Sequence, residues 1–242
     1  MRHTLFISDL HLSPDTPKSN DVLVRFLRET APRSDSLYVL GDLFEYWIGD
    51  EGLDQPFATQ IAQAFRALAD QGVRVSFMHG NRDFLIGTRF AQTSGMRLLP
   101  DPILVNLYDT PTLLMHGDTL CSDDFEYQKF RAIVRDPAWQ TAFLDNPVDE
   151  RLRIVREIQG KSEQAKQVKD MTIMDVTPAT VEDAFRSHGC ARLIHGHTHR
   201  PAHHEHKVDG RDCERWVLAD WYDDRGSYLR CDASGCRAQA LG

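Results

Sequence analysis

Five short apolar runs in this chain each end in side chains that can bind a metal ion. The five endings are Asp9-Leu10-His11, Gly41-Asp42, Gly80-Asn81-Arg82-Asp83, His116-Gly117-Asp118 and Gly196-His197-Thr198-His199. Apolar runs of this length are typical of the buried strands of a layered sheet. Because ligands in open α/β sheets bind beyond the carboxyl ends of the strands, the pattern predicts one shared site at one edge of the sheet.

The donor types in these endings favour divalent cations that are borderline to hard. Carboxylate and amide oxygens with a few imidazoles suit ions such as Mn²⁺, and the lack of a thiolate among them argues against a Cys-based zinc site. Two such ions roughly 3.5–4 Å apart can clamp both the attacking and the leaving oxygen of a phosphoryl transfer. The five endings therefore predict a two-metal phosphoesterase.

Strand-like and helix-like segments alternate along the chain. The predicted strands are Thr4–Ile7, Leu37–Leu40, Val73–Met78, Leu113–Met115, Leu193–Ile194 and Trp216–Ala219. Amphipathic patterns predict helices over Asp21–Ala31, over Phe57–Leu68 and from Thr177-Pro178 to a stop at Gly189. This alternation favours an α/β fold in which helices cover the sheet.

About eighty residues separate His116 from His197, far more than one crossover between strands needs. Much of this stretch has helical apolar faces interleaved with Arg and Lys, so we expect a helical cap inserted over the metal site. Its apolar residues could form a small core of the cap, line a trough for acyl chains or dip into a membrane surface. Those considered for the trough are Trp139, Phe143, Leu144, Leu152, Ile154 and Val155.

Bulk composition limits the classes of partner. The net charge of −8 and a pI near 5.7 make nucleic acid an unfavourable partner, because binding its backbone requires an excess of Lys and Arg. The five cysteines are scattered and contain no CxxC pair, so we expect reduced thiols and no disulfide. No apolar run approaches the thickness of a bilayer, which predicts a protein that is soluble or at most lies on a membrane surface.

The strings around the five endings resemble those of the calcineurin-like metallophosphoesterase superfamily. They are FISDLH (6–11), GDLFE (41–45), HGNRDF (79–84), HGDTLC (116–121) and IHGHTHRP (194–201). More narrowly, they are similar to the UDP-2,3-diacylglucosamine hydrolase family of lipid A biosynthesis. The resemblance runs nearly end to end and implies a four-layer α/β/β/α sandwich, with a core of residues 1–122 and 177–242 and a helical cap of residues 123–176.

The resemblance also implies roles for individual residues. Asp9, His11 and His199 would hold one Mn²⁺, Asn81, His116 and His197 a second, and Asp42 would bridge the two ions. Asp42, Asn81, Arg82 and His116 would be catalytic. The implied substrate contacts are Asn81, Arg82, Asp124, Ser162, Lys166, Lys169 and His197. Some members of the family carry Asn where this chain has Lys166, so the geometry of that contact is open.

The implied reaction is Mn²⁺-dependent hydrolysis of UDP-2,3-diacylglucosamine at the α-phosphorus, which yields UMP and 2,3-diacylglucosamine 1-phosphate (lipid X). The implied location is cytoplasmic and peripheral on the cytoplasmic face of the inner membrane, with no nucleic acid and no obligate protein partner. Two alternatives stay open. One is a metallophosphoesterase that acts on a soluble nucleotide or a phosphoprotein, and the other is a non-catalytic scaffold on the same fold.

Arg82 stands where many metallophosphoesterases carry a histidine. A guanidinium stays charged and cannot act as a general acid at neutral pH, so a substrate that needs a strong acid is disfavoured. A diphosphate fits, because its departing phosphate requires charge stabilisation more than a proton. The alternative interpretation of Arg82 is a surface ion pair with Asp83.

Other polar residues near the endings have less specific signals. Glu45, Asp118 and Asp123 are expected to orient the ligand imidazoles by contacting them on the side away from the metal ions. Four histidines are expected to be structural, namely His3, His79, His188 and His195. The cluster His203, His204 and His206 is predicted to lie in a solvated loop rather than to form a third metal site.

Overall fold

A computed structural model of the protein describes the backbone of residues 2–168 and 175–241 and the side chains of residues 2–160 and 175–241. The described strands are β1 (Thr4–Ile7), β2 (Ser36–Leu40), β3 (Arg74–Met78), β4 (Arg97–Leu99), β5 (Ile103–Leu107), β6 (Thr110–Leu114), β7 (Arg192–His195), β8 (Ala202–Val208), β9 (Arg211–Val217), β10 (Gly226–Asp232) and β11 (Gly235–Leu241). The described helices are α1 (Pro17–Glu29), α2 (Pro56–Asp70), α3 (Thr88–Ser94), α4 (Phe125–Val134), α5 (Pro137–Leu144), α6 (Val148–Val168) and α7 (Pro178–His188).

The strands form two mixed sheets. The first sheet has the order β11-β10-β1-β2-β3-β4, in which β1 to β4 are parallel and β10 pairs antiparallel with β1. The second has the order β5-β6-β7-β9-β8, in which β6, β7 and β9 are parallel. In both sheets the parallel strands lie side by side, so their carboxyl ends meet at one edge.

Three apolar clusters give the molecule four layers. The largest joins one face of the first sheet to helices α1, α2 and α3, with Phe26, Phe65 and Phe77 fully buried. A second cluster, which includes Phe6 and Ile194, fills the space between the two sheets. A third packs α7 on the outer face of the second sheet. The α/β/β/α sandwich that the family resemblance implied is therefore confirmed.

The predicted strands and helices are present, with shifted ends. Helix α1 begins at Pro17 rather than at Asp21, and α7 begins at Pro178 and stops at Gly189, whose φ of 60° is left-handed. The prediction of a loop over the histidine cluster is wrong, because His203, His204 and His206 lie in edge strand β8. His203 stacks on Trp216 of the neighbouring strand, with 4.1 Å between ring centroids.

The expectation of fully reduced cysteines is also wrong. Strands β10 and β11 form an antiparallel hairpin whose register sets Cys231 opposite Cys236, and the two form a disulfide. Pairing between these strands, which spacing along the chain does not reveal, brings the two sulfurs together. Cys121, Cys190 and Cys213 are buried and lie outside this disulfide.

Helices α4, α5 and α6 occupy the long stretch between the fourth and fifth endings. Phe143 of α5 is buried in the largest apolar cluster, and Trp139, Ile154 and Val155 pack against it. These side chains thus extend the main core instead of forming a separate core of their own. Among the described helices, none combines the length and the apolar character that a membrane crossing requires.

Candidate metal centre

The candidate ligands follow the carboxyl ends of five neighbouring strands. Asp9 comes after β1, Asp42 after β2 and Asn81 after β3, while His116 follows β6 and His197 follows β7. Both sheets therefore contribute to the same edge, as expected for parallel strands. The structure brings all seven candidate ligands into a connected cluster through the distances described below.

One group consists of Asp9, His11 and His199. Nε2 of His11 lies 3.2 Å from Nε2 of His199, which in turn lies 3.4 Å from Oδ1 of Asp9. Nδ1 of His11 lies 3.0 Å from the Glu45 carboxylate. This contact favours a proton on Nδ1 and leaves a lone pair on Nε2. Oδ1 of Asp9 is buried and makes no hydrogen bond within the described residues. Electron pairs therefore converge on a point that a cation would satisfy.

A second group surrounds the amide oxygen of Asn81. This oxygen lies 2.9 Å from Nε2 of His116 and 2.8 Å from Nδ1 of His197. His116 is fully buried, and its Nδ1 donates to the carbonyl of Leu40 at 2.9 Å. A neutral His116 therefore aims the lone pair of Nε2 at another acceptor, an arrangement that is stable only with a proton or a metal ion between them.

Asp42 lies between the two groups. Its Oδ2 is 3.9 Å from Nε2 of His11 and 3.8 Å from Nε2 of His116, while its Oδ1 accepts from the backbone N–H of Arg82 at 2.8 Å. A carboxylate has oxygen lone pairs to share between two cations, which a ring nitrogen lacks. Asp42 is thus placed where a bridging ligand would have to be.

The electrostatic field of this cluster favours positive charge. Burial lowers the pKa of His116, but the carboxylates of Asp42, Asp118 and Asp9 outweigh it and raise that pKa to about 9. Burial raises the pKa of Asp9, yet the surrounding histidines hold it well below its usual range. The field that would keep an extra proton would equally retain a dication, so the donor set fits a pair of divalent ions.

The backbone is strained at most of these positions. Five of the seven candidate ligands have left-handed φ values: Asp9 (55°), His11 (49°), Asp42 (51°), His197 (68°) and His199 (53°). This region is costly for residues other than Gly, Asn and Asp, and such strain is typical of functional sites. The conformation turns each chain sharply after its strand, so that side chains two residues apart can enter one cluster.

Two glycines allow the motif loops to approach each other. A Cβ on Gly80 would collide with the carboxylate and backbone of Asp42, and one on Gly196 would collide with the carboxylate of Asp9. Close packing of neighbouring loops therefore requires glycine immediately before the candidate ligands Asn81 and His197.

Asp83 fastens two of these loops together. It is fully buried, and its carboxylate accepts from the backbone N–H groups of Leu43 at 2.7 Å, Gly80 at 2.9 Å, Asp42 at 3.3 Å and Phe44 at 3.4 Å. Burial and the Asp42 carboxylate raise the pKa of Asp83 to about 7. Asp83 is thus a structural clamp beneath the ligands.

Replacing Asp83 with alanine is expected to lower the free energy of unfolding by about 2–4 kcal/mol, because several buried N–H groups lose their acceptor. Urea unfolding followed by circular dichroism measures the change. Asp212→Ala, near the start of β9 and 94% exposed, is the control and should shift the free energy of unfolding by about 0.5 kcal/mol or less. A loss in Asp83→Ala no larger than in the control would contradict the clamp.

Arg82 lies beside the first group of ligands. Its Nη1 is 3.3 Å from Oε1 of Glu45, and the other oxygen of Glu45 contacts His11. The alternative of an ion pair with Asp83 is therefore wrong, since the carboxylate of Asp83 is occupied by backbone N–H groups. Glu45 both orients a candidate ligand, as expected, and positions the guanidinium next to it.

Asp118 connects the centre to α4. It is buried, and it accepts from the Tyr127 hydroxyl at 2.6 Å and from Nε of Arg131 at 2.7 Å. The Tyr127 ring lies 5.8 Å from the ring of His197, between centroids. Asp118 therefore acts through residues of the inserted helices, whereas Asp123, another expected partner, is exposed and donates its backbone N–H to Thr177.

Two contacts that sequence reasoning missed support the ligands from outside the five motifs. Oδ2 of Asp220, after β9, lies 3.5 Å from Nδ1 of His199. Arg135 of α4–α5 donates to the carbonyl of Gly80 at 2.8 Å and lies over the ring of Phe84. In the sequence, Asp220 is visible only as a charged residue close to a strand end, and Arg135 only as a charged residue of the expected cap.

The expected substrate contacts are only partly described. Asp124 is buried and caps the amino end of α4, where its side chain accepts from the backbone N–H of Tyr127. Ser162 and Lys166 belong to α6, but their side chains lie outside the described residues, and so does Lys169 altogether. Asn81, Arg82 and His197 are in the cluster described above.

Two of the four other histidines are visibly structural. Nε2 of His79 donates to the carbonyl of Ile86 at 2.7 Å. His195 is fully buried: its Nδ1 donates to the carbonyl of Gly196 at 2.8 Å, and its Nε2 lies 3.1 Å from Nη1 of Arg215 and can accept. Burial and the Arg215 charge lower the pKa of His195 from 6.5 to about 3.

This lowered pKa predicts a pH dependence of stability. The folded state favours neutral His195, so its contribution is complete above about pH 6.5 and decreases as the pH falls toward 3. Between pH 7 and pH 4.5, His195→Asn should therefore lose less unfolding free energy than the wild type. Urea unfolding at each pH measures both slopes, and equal slopes would contradict this linkage.

Comparisons with known proteins agree with the fold and the donor set. The family model described as calcineurin-like phosphoesterase matches residues 2–201. The chain therefore belongs to the calcineurin-like phosphoesterase family, whose members depend on two metal ions, and its described residues include candidate ligands for them.

Within this family, the chain is similar to proteins named UDP-2,3-diacylglucosamine hydrolase. One from Aromatoleum aromaticum is 52% identical over 231 residues, which cover 96% of this chain and 94% of that protein. One from Stenotrophomonas maltophilia is 49% identical over 245 residues, which cover 98% of each. Among solved structures, a novel archaeal phosphodiesterase is 13% identical and covers 99% of each chain with a TM-score of 0.47.

Proposed function

We propose that this protein hydrolyses the diphosphate bond of UDP-2,3-diacylglucosamine at the α-phosphorus, giving UMP and 2,3-diacylglucosamine 1-phosphate in lipid A biosynthesis. The observation that carries the proposal is the position of Arg82, fixed through Glu45 beside a cluster of seven candidate metal ligands. The relatives at about half identity, named for this substrate, support the same assignment.

In this proposal the candidate ligands are divided between two ions. Asp9, His11 and His199 would hold one ion, and Asn81, His116 and His197 the other. Asp42 would be shared between them, and we propose Mn²⁺ as the resident metal. When bound, such a pair lowers the pKa of water and neutralises charge on phosphate oxygens.

The remaining chemistry comes from the side chains themselves. The guanidinium of Arg82 would bind oxygens of the departing phosphate and stabilise their charge without giving up a proton. Glu45 keeps Arg82 in place. Because the Asn81 amide is neutral, the two bound ions would leave the site with a surplus of positive charge toward an anionic substrate. An acid catalyst is unnecessary because the leaving phosphate is a weak base.

We further propose that residues 123–176 form a cap over this centre. In an aromatic row next to Arg82, Phe84 and Trp139 would lie along the acyl chains, and the buried Phe143 would support Trp139 from the core. Phe84 follows the third motif, Trp139 of α5 lies 6.3 Å from it, and Phe143 stacks on Trp139 at 5.2 Å, between ring centroids. The row therefore leads from the diphosphate position into α5. Arg135 beside it adds a cation for anionic lipid, and a peripheral position on the cytoplasmic face of the inner membrane follows from such a substrate.

The direct test uses purified protein with Mn²⁺ and the lipid substrate in detergent micelles. Release of UMP with lipid X, abolished by a chelator and restored by Mn²⁺, is the expected result. Incorporation of ¹⁸O from labelled water into UMP would place the attack at the α-phosphorus. A protein that releases no UMP but cleaves a soluble nucleotide or a phosphoprotein would replace this substrate with the alternative one.

The aromatic row predicts a difference between two substrates. Trp139→Ser should lower kcat/KM for the lipid about 10- to 100-fold, the value of a buried aromatic contact, while hydrolysis of bis(p-nitrophenyl) phosphate stays within about twofold. Phe125→Ser is the matched control, because Phe125 is an exposed aromatic of α4. Equal losses on both substrates in Trp139→Ser would count against an acyl-chain contact.

A further inference from the structure

An open groove lies away from the metal centre, at the amino ends of β2, β3 and β4, whereas the candidate ligands follow the carboxyl ends of β2 and β3. It has a volume of about 690 Å³, within the range of small-molecule sites. The first residues of β2, β3 and β4 all line the groove; they are Ser36, Arg74 and Arg97, respectively. Nothing in the hydrolytic chemistry uses them.

The strand register places the polar side chains of the groove on one face. Ser36 is opposite Arg74, Tyr38 is opposite Ser76, and Ser76 is opposite Arg97. Because side chains alternate along a strand, these five residues point to the same side of the first sheet, toward the second sheet. Tyr38 packs against the cluster between the sheets, which closes the groove at its inner end.

The charge of the groove is positive although the chain as a whole is acidic. Both contacts of the Arg74 guanidinium are to the hydroxyl of Ser36, at 3.1 and 3.2 Å. Within the described residues, neither Arg74 nor Arg97 has a carboxylate within 4 Å. A third arginine, Arg66, lies 3.8 Å from Asp70 and cancels that carboxylate. Two guanidiniums are thus left uncompensated in a protein of net charge −8.

Both arginines lie on the same face of the sheet as Tyr38. Burial raises the pKa of Tyr38, and the positive charges of Arg74 and Arg97 act against that rise. Three neighbouring strands therefore supply two forked donors and several hydroxyls around one volume. A carboxylate has two oxygens and would leave donors unused, whereas a phosphate offers three or four acceptors that match them.

We propose that this groove is a second anion site that binds a soluble phosphate-bearing molecule through Arg74 and Arg97, separate from the metal centre. The minimal ligand is inorganic phosphate, and the volume leaves room for a larger phosphorylated metabolite. The site lies outside the proposed hydrolytic reaction and does not depend on its substrate.

The test is an NMR titration of the full-length, Mg²⁺-loaded protein with inorganic phosphate at constant ionic strength. The backbone amides of Ser76 and Gly95 report on the groove, and those of Gly41 and Gly196 report on the metal centre. In the wild type the groove amides should shift and saturate. In Arg74→Gln/Arg97→Gln the apparent Kd at these amides should rise at least about tenfold, while the metal-centre amides respond as before.

Arg237→Gln removes one positive charge from an exposed position of β11 and should leave the Kd within about twofold of the wild type. The single variant Arg97→Gln, which breaks no hydrogen bond among the described residues, should give an intermediate Kd and guards against misfolding of the double variant. Absent groove shifts in the wild type, or an unchanged Kd in the double variant, would overturn the site.

A lipid phosphate is the other source of the same chemistry. Flotation with vesicles of phosphatidylglycerol distinguishes the two, since a site for a soluble anion predicts equal vesicle binding by the wild type and by Arg74→Gln/Arg97→Gln. Loss of vesicle binding in the double variant would overturn the soluble ligand and assign the groove to a lipid headgroup.

Discussion

Asp42→Asn is expected to lower kcat/KM for UDP-2,3-diacylglucosamine by at least about 10³-fold, the largest effect of any single change in this chain. Asp42 lies 3.9 and 3.8 Å from a histidine of each ligand group, so both ions would lose a shared oxygen and a negative charge. The variant should also retain less than two equivalents of Mn²⁺ after gel filtration, as measured by inductively coupled plasma mass spectrometry.

Folding does not confound this variant. The φ of Asp42 is 51°, a conformation that Asn adopts readily, and the carbonyl of Asn can still accept from the N–H of Arg82. Asp212→Asn makes the same chemical change at an exposed position and should keep both the rate and the metal. If Asp42→Asn kept both as well, the centre would lie elsewhere or the chain would be the non-catalytic scaffold.

Arg82→Gln is expected to lower kcat/KM for the diphosphate lipid about 10²- to 10³-fold, because the departing phosphate loses a charged donor. For bis(p-nitrophenyl) phosphate, whose leaving group is stable by itself, the loss should stay below about tenfold. Steady-state rates on both substrates, with the metal content measured in parallel, give the comparison.

Arg237→Gln is the matched control for charge and should not change either rate. Equal losses on both substrates in Arg82→Gln would mean that Arg82 acts on a step common to both, such as holding Glu45 against His11. Loss of metal together with both rates would point to the same conclusion.

The parts of the site that the sequence predicts are those that depend on local signals. Asp9, Asp42 and His116 directly follow apolar runs, and ligand type and strand end are both visible in a few consecutive residues. The α/β class follows from the same runs together with the helices between them, whereas the two packed sheets were implied only by the family resemblance. The orienting role of Glu45 could also be predicted, because Glu45 lies in the same string as Asp42.

Contacts set by pairing between distant segments could not be predicted. Asp83 faces four N–H groups of two separate loops, and Asp220 reaches His199 only because Trp221 bonds back to the backbone of Asp9. Strand β8 was missed because it is an edge strand whose side chains are mostly polar and exposed. Such a polar sequence is also typical of a loop. The disulfide required the register of β10 and β11, which no spacing rule supplies.

The left-handed backbone under the metal ligands bears on how such a chain could decay during evolution. At His11 and His199, a change to Asn or Gly would remove an imidazole ligand and also relieve about 1 kcal/mol of local strain at each residue. A lineage no longer under selection for hydrolysis is therefore expected to lose these ligands among its first substitutions and to become more heat-resistant as it does so. Non-catalytic descendants with this fold should have higher melting temperatures than their active ancestors.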